Sequence, residues 1–64
     1  MENSVARRRR DAGLSQEELA QRSGVSRQTI NAIERGRYDP RLGLAFRLAA
    51  VLACRVDEVF TPSE

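Results

Sequence analysis

The chain has 64 residues and a formal net charge of +2, and its 41% hydrophobic and 31% charged residues are typical of a small folded protein rather than a disordered one. No apolar run approaches the roughly 20 residues of a membrane-spanning helix, and the first residues lack the apolar stretch of a secretion signal, so we expect a cytoplasmic protein with no membrane partner. With one cysteine and no histidine, an internal disulfide is excluded and a metal site is not expected. No feature of the sequence indicates a cofactor or a small-molecule ligand, so neither is expected.

Two helices are predicted before residue 24. The first covers residues 5–12 and ends near Gly13, which can adopt the left-handed conformation of a helix end. Ser15 begins the second helix, with Glu18 three residues later. Each of these side chains can accept a hydrogen bond from the other residue's backbone N–H, an arrangement called a capping box.

A third helix is predicted over residues 27–35. Gly24 breaks the second helix, Ser26 caps the third, and Gly36 ends it. Residues 37–40 are predicted to form a loop, because proline disfavours helical geometry in the residue before it.

A fourth helix is predicted over residues 41–53. Its inward stripe consists of apolar residues at helical spacing, namely Leu42, Ala45, Leu48, Ala49 and Leu52. A short fifth helical turn follows and contains Val56, Val59 and Phe60, before a polar tail at residues 61–64. No segment alternates with the period of a strand, so we predict an all-α fold of five helices in one domain, residues 1–64.

Residues 16–36, QEELAQRSGVSRQTINAIERG, have the spacing of a helix-turn-helix. Two helices that meet at a steep angle need a small residue at their contact, which is Ala20, and a turn residue that tolerates a positive φ, which is Gly24. The other apolar positions of the motif point to one side: Leu19, Val25, Ile30 and Ile33. The polar face of the second motif helix is therefore free.

This free face carries long hydrogen-bond donors. At 100° per residue, an arc of about 100° holds Arg27, Gln28, Asn31 and Arg35. Arg can bind guanine O6 and N7, and Gln or Asn can bind adenine N6 and N7, each through two hydrogen bonds. Residues 22–41 also carry a net charge of +3, which favours a polyanionic partner. The alternative is an ordinary amphipathic helix with a solvated polar face.

The motifs resemble those of the lambda repressor and Cro type of helix-turn-helix proteins, the family also named after xenobiotic-response-element regulators. The resemblance covers residues 5–60 and rests on four segments: residues 13–20 (GLSQEELA), 24–30 (GVSRQTI), 33–34 (IE) and 38–40 (YDP). It implies a lambda-repressor-like domain of five helices. It also implies a small stand-alone bacterial transcriptional regulator that works at the nucleoid.

The resemblance implies roles for individual residues on double-stranded DNA. The second motif helix would enter the major groove and read bases with Arg27, Gln28 and Asn31. The sugar-phosphate backbone would be contacted by Gln16, Thr29, Arg35, Arg37, Tyr38 and Arg41, with a thymine methyl as the alternative contact for Thr29. Gln16 lies at a helix N-terminus, a position that favours phosphate binding.

Two further expectations follow from the resemblance. Arg9 and Glu34 match positions where members of the family often form an ion pair between the first and third helices. Members also bind two-fold symmetric operators as dimers, with recognition helices about 34 Å apart. We therefore expect a homodimer that forms through the C-terminal helices or the chain ends, with Val56, Val59 and Phe60 in the interface.

The chain also departs from the family's pattern at four positions. Arg8 stands where a core leucine is usual, Arg41 and Arg55 where a capping residue is usual, and Ala53 where glycine is frequent. Because a missing cap costs about 1 kcal/mol, we expect weakly capped fourth and fifth helices and a domain of modest stability.

The function predicted from these features is sequence-specific DNA binding in transcription regulation, most simply as a repressor. The alternative is an antitoxin-type protein-interaction module that also binds DNA. An enzyme is not expected, because the sequence has no Ser-His or Cys-His pair, no phosphate-binding glycine loop and no cluster of carboxylates.

Overall fold

The core is formed by apolar side chains from all five helices and from the segment after the last one. In a computed structural model that describes residues 1–61, the elements in chain order are β1 (Glu2–Asn3), α1 (Val5–Asp11), α2 (Gln16–Ser23), α3 (Arg27–Glu34), α4 (Leu42–Val51), α5 (Val56–Val59) and β2 (Phe60–Thr61). The fold is mainly helical, as predicted, and each predicted helix is present with ends within about two residues of those expected. No helix in the described part of the chain is long and apolar enough to cross a membrane.

The α2–turn–α3 unit has the local contacts that the sequence predicts. The Ser15 hydroxyl accepts from the Glu18 N–H at 3.0 Å, and the Glu18 carboxylate accepts from the Ser15 N–H at 2.8 Å. Donation from the Ser15 backbone N–H, with a smaller effect of the Ser15 hydroxyl, lowers the pKa of the Glu18 carboxyl below its ordinary value of 4.5. Gly24 adopts φ 73°, which lets the Val25 N–H donate to the Ala20 carbonyl and end α2. Ala20 is buried where the two helices meet.

The two ends of the chain pair in a short antiparallel β ribbon, which the sequence analysis did not predict. Asn3 lies opposite Phe60, and Glu2 lies opposite Thr61. Next to the ribbon, the Ser4 N–H donates to the Val59 carbonyl at 2.9 Å. Thr61, predicted to begin a polar tail, is thus part of a strand, whereas the rest of that tail, residues 62–64, lies outside the described residues.

The inward stripe of α4 differs from the prediction at its first position. Leu42 is 67% exposed, and Leu44 is buried instead, together with Ala45, Leu48 and Ala49. Leu42 lies in the first turn of α4, and helical side chains lean towards the N-terminus, so its side chain extends past the elements that cover the rest of the helix. The prediction that Leu42 packs inward was therefore wrong.

The ends of α4 and α5 have few side-chain caps. Arg41 precedes α4 without a side-chain hydrogen bond, whereas the Arg55 N–H before α5 is bound by the Glu58 carboxylate at 2.7 Å. At the end of α4, the Ala53 N–H donates to Ala50 and the Cys54 N–H to Ala49, a pattern that usually has glycine in the position of Ala53. Ala53 instead adopts φ 56° with a Cβ atom present, and this conformation is strained for any residue except glycine.

We expect Ala53→Gly to raise the free energy of unfolding by about 0.5–1 kcal/mol, because relief of left-handed strain outweighs the added flexibility of the unfolded chain. Urea denaturation followed by circular dichroism measures this change. Ala50→Gly is the matched control, since Ala50 is exposed inside α4, where glycine should cost about 1 kcal/mol. Equal destabilisation by both substitutions would contradict the strain at Ala53.

Candidate nucleic-acid interface

The polar face of α3 lies on the surface of the molecule, while its apolar face lies in the core. Ser26 caps the helix by accepting from the Thr29 N–H at 3.2 Å. Arg27 and Gln28 follow in the first turn, and both are exposed. Asn31, one turn later on the same face, is half-buried, whereas the isoleucines at positions 30 and 33 are fully buried. The three residues predicted to read bases are thus presented together on a helix whose other side is anchored.

Two of the residues predicted to contact the DNA backbone are already held by neighbouring side chains. The Thr29 hydroxyl lies 3.0 Å from the Ser26 hydroxyl at the start of α3. The Gln16 side-chain amide, at the start of α2, donates from Nε2 to Glu34 Oε1 at 2.9 Å. An amide nitrogen carries two hydrogens, so Gln16 retains one that can donate to a phosphate. Its position is fixed before any DNA arrives.

The remaining residues predicted to contact the backbone follow α3 in the chain, and all of them are exposed: Arg35, Arg37, Tyr38 and Arg41. Within residues 1–61, none of these arginines, nor Arg27, forms a salt bridge. Guanidinium groups without a carboxylate partner remain available to phosphates and to guanine edges.

An ion pair between Arg9 and Glu34 joins α1 to the end of α3. Arg9 donates from Nε to Oε2 at 2.7 Å and from Nη2 to Oε1 at 3.3 Å, with only 12% and 7% of the two side chains exposed. A third Arg9 donor, Nη1, binds the Leu14 carbonyl at 2.9 Å in the connection to α2. With the bond from Gln16, the Glu34 carboxylate links α1 to both helices of the motif.

Two further arginine contacts were not predicted from the sequence, and the first of them supports the motif. Arg47 of α4 donates from Nε to the Ser23 carbonyl at 3.0 Å and so binds the C-terminal end of α2. Arg8, expected in a core position, is half-buried and donates from Nε to the Ser4 hydroxyl at 2.9 Å. The Arg47 contact depends on tertiary geometry, whereas the Arg8 contact is local, since its partner lies four residues earlier in the chain.

The residues predicted for a dimer interface lie in α5 and at the start of β2, and two of them are buried. Val59 is 1% exposed and Phe60 is 6% exposed, because both pack into the core of their own chain. They therefore offer little surface to a second copy, whereas Val56 is half-buried and lines two grooves.

Leu42, Phe46 and Val56 together form an apolar face on the surface. Leu42 borders the first groove, of about 400 Å³, and Phe46 borders the second, of about 520 Å³. The Phe46 side chain is large, apolar and 56% exposed. Large exposed apolar groups that lie together, unlike single ones, are typical of contact surfaces.

Comparisons with known proteins agree with this geometry. A family model described as helix-turn-helix matches residues 5–59. The chain is 47% identical over 60 residues to the uncharacterized HTH-type transcriptional regulator MJ0272 of Methanocaldococcus jannaschii, a match that covers 94% of this chain and 91% of that protein.

Two solved structures are similar as well. The restriction-modification controller protein C.AhdI from Aeromonas hydrophila has a TM-score of 0.81 and 36% identity over 88% of this chain and 85% of its own. The hypothetical transcription factor NHTF from Neisseria has a TM-score of 0.80 and 33% identity over 86% of this chain, which spans 62% of that protein.

The chain therefore belongs to the helix-turn-helix family of the lambda repressor and Cro type. It is a DNA-binding protein of the transcriptional-regulator class and not an enzyme. The relatives come from both archaea and bacteria.

We expect Glu34→Ala to lower the free energy of unfolding by about 3 kcal/mol, because it leaves the buried Arg9 guanidinium without its counterion. Urea or thermal denaturation measures the loss. Glu17→Ala is the control, since Glu17 is an exposed carboxylate in the first turn of α2 and its removal should change stability by about 0.5 kcal/mol or less. Similar losses in both variants would contradict a structural role for the ion pair.

Proposed function

We propose that this protein is a sequence-specific transcription regulator that binds a two-fold symmetric operator as a homodimer and acts most simply as a repressor in the cytoplasm. The observation that carries the proposal is the surface of α3, where Arg27, Gln28 and Asn31 lie side by side on a helix fixed from behind by buried isoleucines and the Glu34 network. Recognition of base edges needs donors on a rigid element, and α3 supplies both.

The three side chains match different base edges. The Arg27 guanidinium suits the two acceptors of guanine, O6 and N7, and the Gln28 and Asn31 amides suit the donor and acceptor of adenine, N6 and N7. Arg27 and Gln28 lie in the first turn of α3, and helices of this motif usually enter the major groove with their N-terminal residues. The predicted operator half-site therefore contains guanine next to adenine-rich positions.

Contacts to phosphates would set affinity and register. Gln16 and Thr29 lie at the N-terminal ends of α2 and α3, where free backbone N–H groups attract anions. Arg35, Arg37, Tyr38 and Arg41 extend this surface beyond the end of α3. Charged contacts of this kind hold any DNA sequence and weaken as salt rises.

Dimerisation would occur through the apolar face of Leu42, Phe46 and Val56 rather than through Val59 and Phe60. Two observations support this assignment: the exposure of Leu42 and Phe46, and the pair of grooves that meet at Val56. In a two-fold interface the same patch serves both copies, so a projecting Phe46 beside a groove can enter the groove of its partner.

Selection of bound sequences from random double-stranded DNA tests the proposal as a whole. We expect one enriched palindromic sequence with half-sites about one helical turn apart. Enrichment of a single half-site would contradict the dimeric operator. No enrichment at all would overturn sequence-specific binding.

Substitution of the base-reading residues should reduce both affinity and discrimination. We expect Arg27→Ala and Gln28→Ala each to cost about 1–3 kcal/mol on the selected operator, with relaxed preference at one base pair. Fluorescence anisotropy on the operator and on its single-base variants measures both effects. Unchanged operator affinity in Arg27→Ala would show that the assigned face of α3 is wrong.

Substitution of a residue that contacts the DNA backbone should weaken binding to every DNA sequence by a similar factor. We expect Arg37→Ala to weaken specific and non-specific DNA equally and to reduce the slope of log K against log salt by about 1. Arg7→Ala is the control with the same change of charge. Arg7 is exposed, pairs with Asp11, and lies about 200° around α1 from Arg9, which faces α3. Equal changes in both variants would show that Arg37 does not contact the DNA backbone.

Phe46→Glu should convert the dimer to a monomer, because a second copy would have to bury an unpaired charge. Sedimentation equilibrium at micromolar concentration measures the association. Gln21→Glu adds the same charge at an exposed position of α2 and should leave the dimer intact. A wild-type protein that stays monomeric even on operator DNA would contradict the proposed dimer.

A further inference from the structure

Asn3 connects three parts of the molecule. Its backbone pairs with Phe60 in the β ribbon, and its Oδ1 accepts from the Val5 N–H at 3.1 Å at the start of α1. Its Nδ2 donates to the Ile33 carbonyl at 2.8 Å, near the C-terminal end of α3. The first two contacts shape the N-terminal segment itself. The third reaches the helix that carries the base-reading residues.

The Ile33 carbonyl is well suited to hold that helix in place. It also accepts from the Gly36 N–H at 2.9 Å, so both of its lone pairs are used. The last four carbonyls of a helix lack partners within the helix, and a side chain that binds one of them fixes the direction in which the helix ends. Asn3 and Ile33 are 30 residues apart in the chain, so this restraint comes from the tertiary fold.

We propose that Asn3 is a positioning residue for DNA recognition, which sets the orientation of α3 by binding its C-terminal end to the β ribbon. The proposal rests on the function proposed above and adds a residue that does not contact DNA. Two contacts then restrain α3. The ion pair with Arg9 holds the helix by the Glu34 side chain, and Asn3 holds it by the Ile33 backbone carbonyl.

The length of α3 converts a small rotation at this end into a large displacement at the other. An eight-residue helix is about 12 Å long, so a rotation of about 5° about its C-terminal end moves its first turn by about 1 Å. Hydrogen bonds to bases tolerate only a few tenths of an ångström around about 2.9 Å. Loss of the Asn3 contact should therefore affect Arg27 and Gln28 more than Asn31, which lies closer to the restrained end.

Asn3→Ser separates the two functions of the side chain. A serine hydroxyl can still accept from the backbone N–H two residues later, as an ST turn does, but it is too short to replace the donor to Ile33. The substitution leaves the charge unchanged. Thr61→Ala is the matched control, because it is also neutral and alters an exposed side chain of the same ribbon.

We expect Asn3→Ser to bind the selected operator about fivefold more weakly, with reduced discrimination at the base pairs read by Arg27 and Gln28 and an unchanged salt slope. Thr61→Ala should match the wild type in all three measurements. All proteins are compared by fluorescence anisotropy at a temperature well below their melting temperatures, so a loss of stability alone does not change the pattern of discrimination.

Asn3→Asp gives a second test, because it also keeps the acceptor for Val5 and loses the donor to Ile33. Its added negative charge weakens all DNA binding, so discrimination between single-base variants is the quantity compared. Wild-type discrimination in both Asn3 variants would overturn the proposal, as would a loss of folding in both, since Asn3 would then act on stability alone. If the wild-type protein itself selects no sequence, the proposed function fails instead.

Discussion

The fold depends on one buried carboxylate. Glu34 accepts hydrogen bonds from two nitrogens of Arg9 and from the amide of Gln16, and so it joins α1, α2 and α3 at a single point. A core as small as this one can resist the separation of helices but has few contacts that resist their rotation. Charged groups removed from water tolerate little misalignment, because each lost hydrogen bond leaves a desolvated charge. Both packing and this charged hydrogen-bond network therefore restrain the angle of α3.

The sequence alone predicted those parts of the structure that local interactions determine. The capping box at Ser15, the turn at Gly24 and the polar face of α3 each follow from residues within one or two helical turns of one another. The Arg9–Glu34 pair came from the family resemblance rather than from spacing, since 25 residues separate its members. What was missed depends on contacts between distant segments, such as the pairing of Asn3 with Phe60.

The apolar stripe of α4 shows the same limit of prediction from the sequence. Periodicity identified an apolar stripe but could not tell how far the neighbouring elements extend along it, so Leu42 was expected inside and is outside. Val59 and Phe60, which the family resemblance placed in a dimer interface, lie in the core of their own chain. As a result, the apolar surface at Leu42, Phe46 and Val56 is made of residues other than the polar ones of α3. The proposed DNA contacts and the proposed dimer contacts therefore involve different residues.

The β ribbon also has a consequence for the order in which the chain folds. Its strands are two residues each and lie at opposite ends of the sequence, so closing it confines nearly the whole chain in one loop for very few hydrogen bonds. The entropic cost of closing that loop falls sharply once the helices between the two strands have packed. The ribbon should therefore form last and open first, as a unit of low local stability on a more stable helical body. Fluctuations of the native state would then begin at the ribbon and reach α3 through the bond from Asn3 to the Ile33 carbonyl.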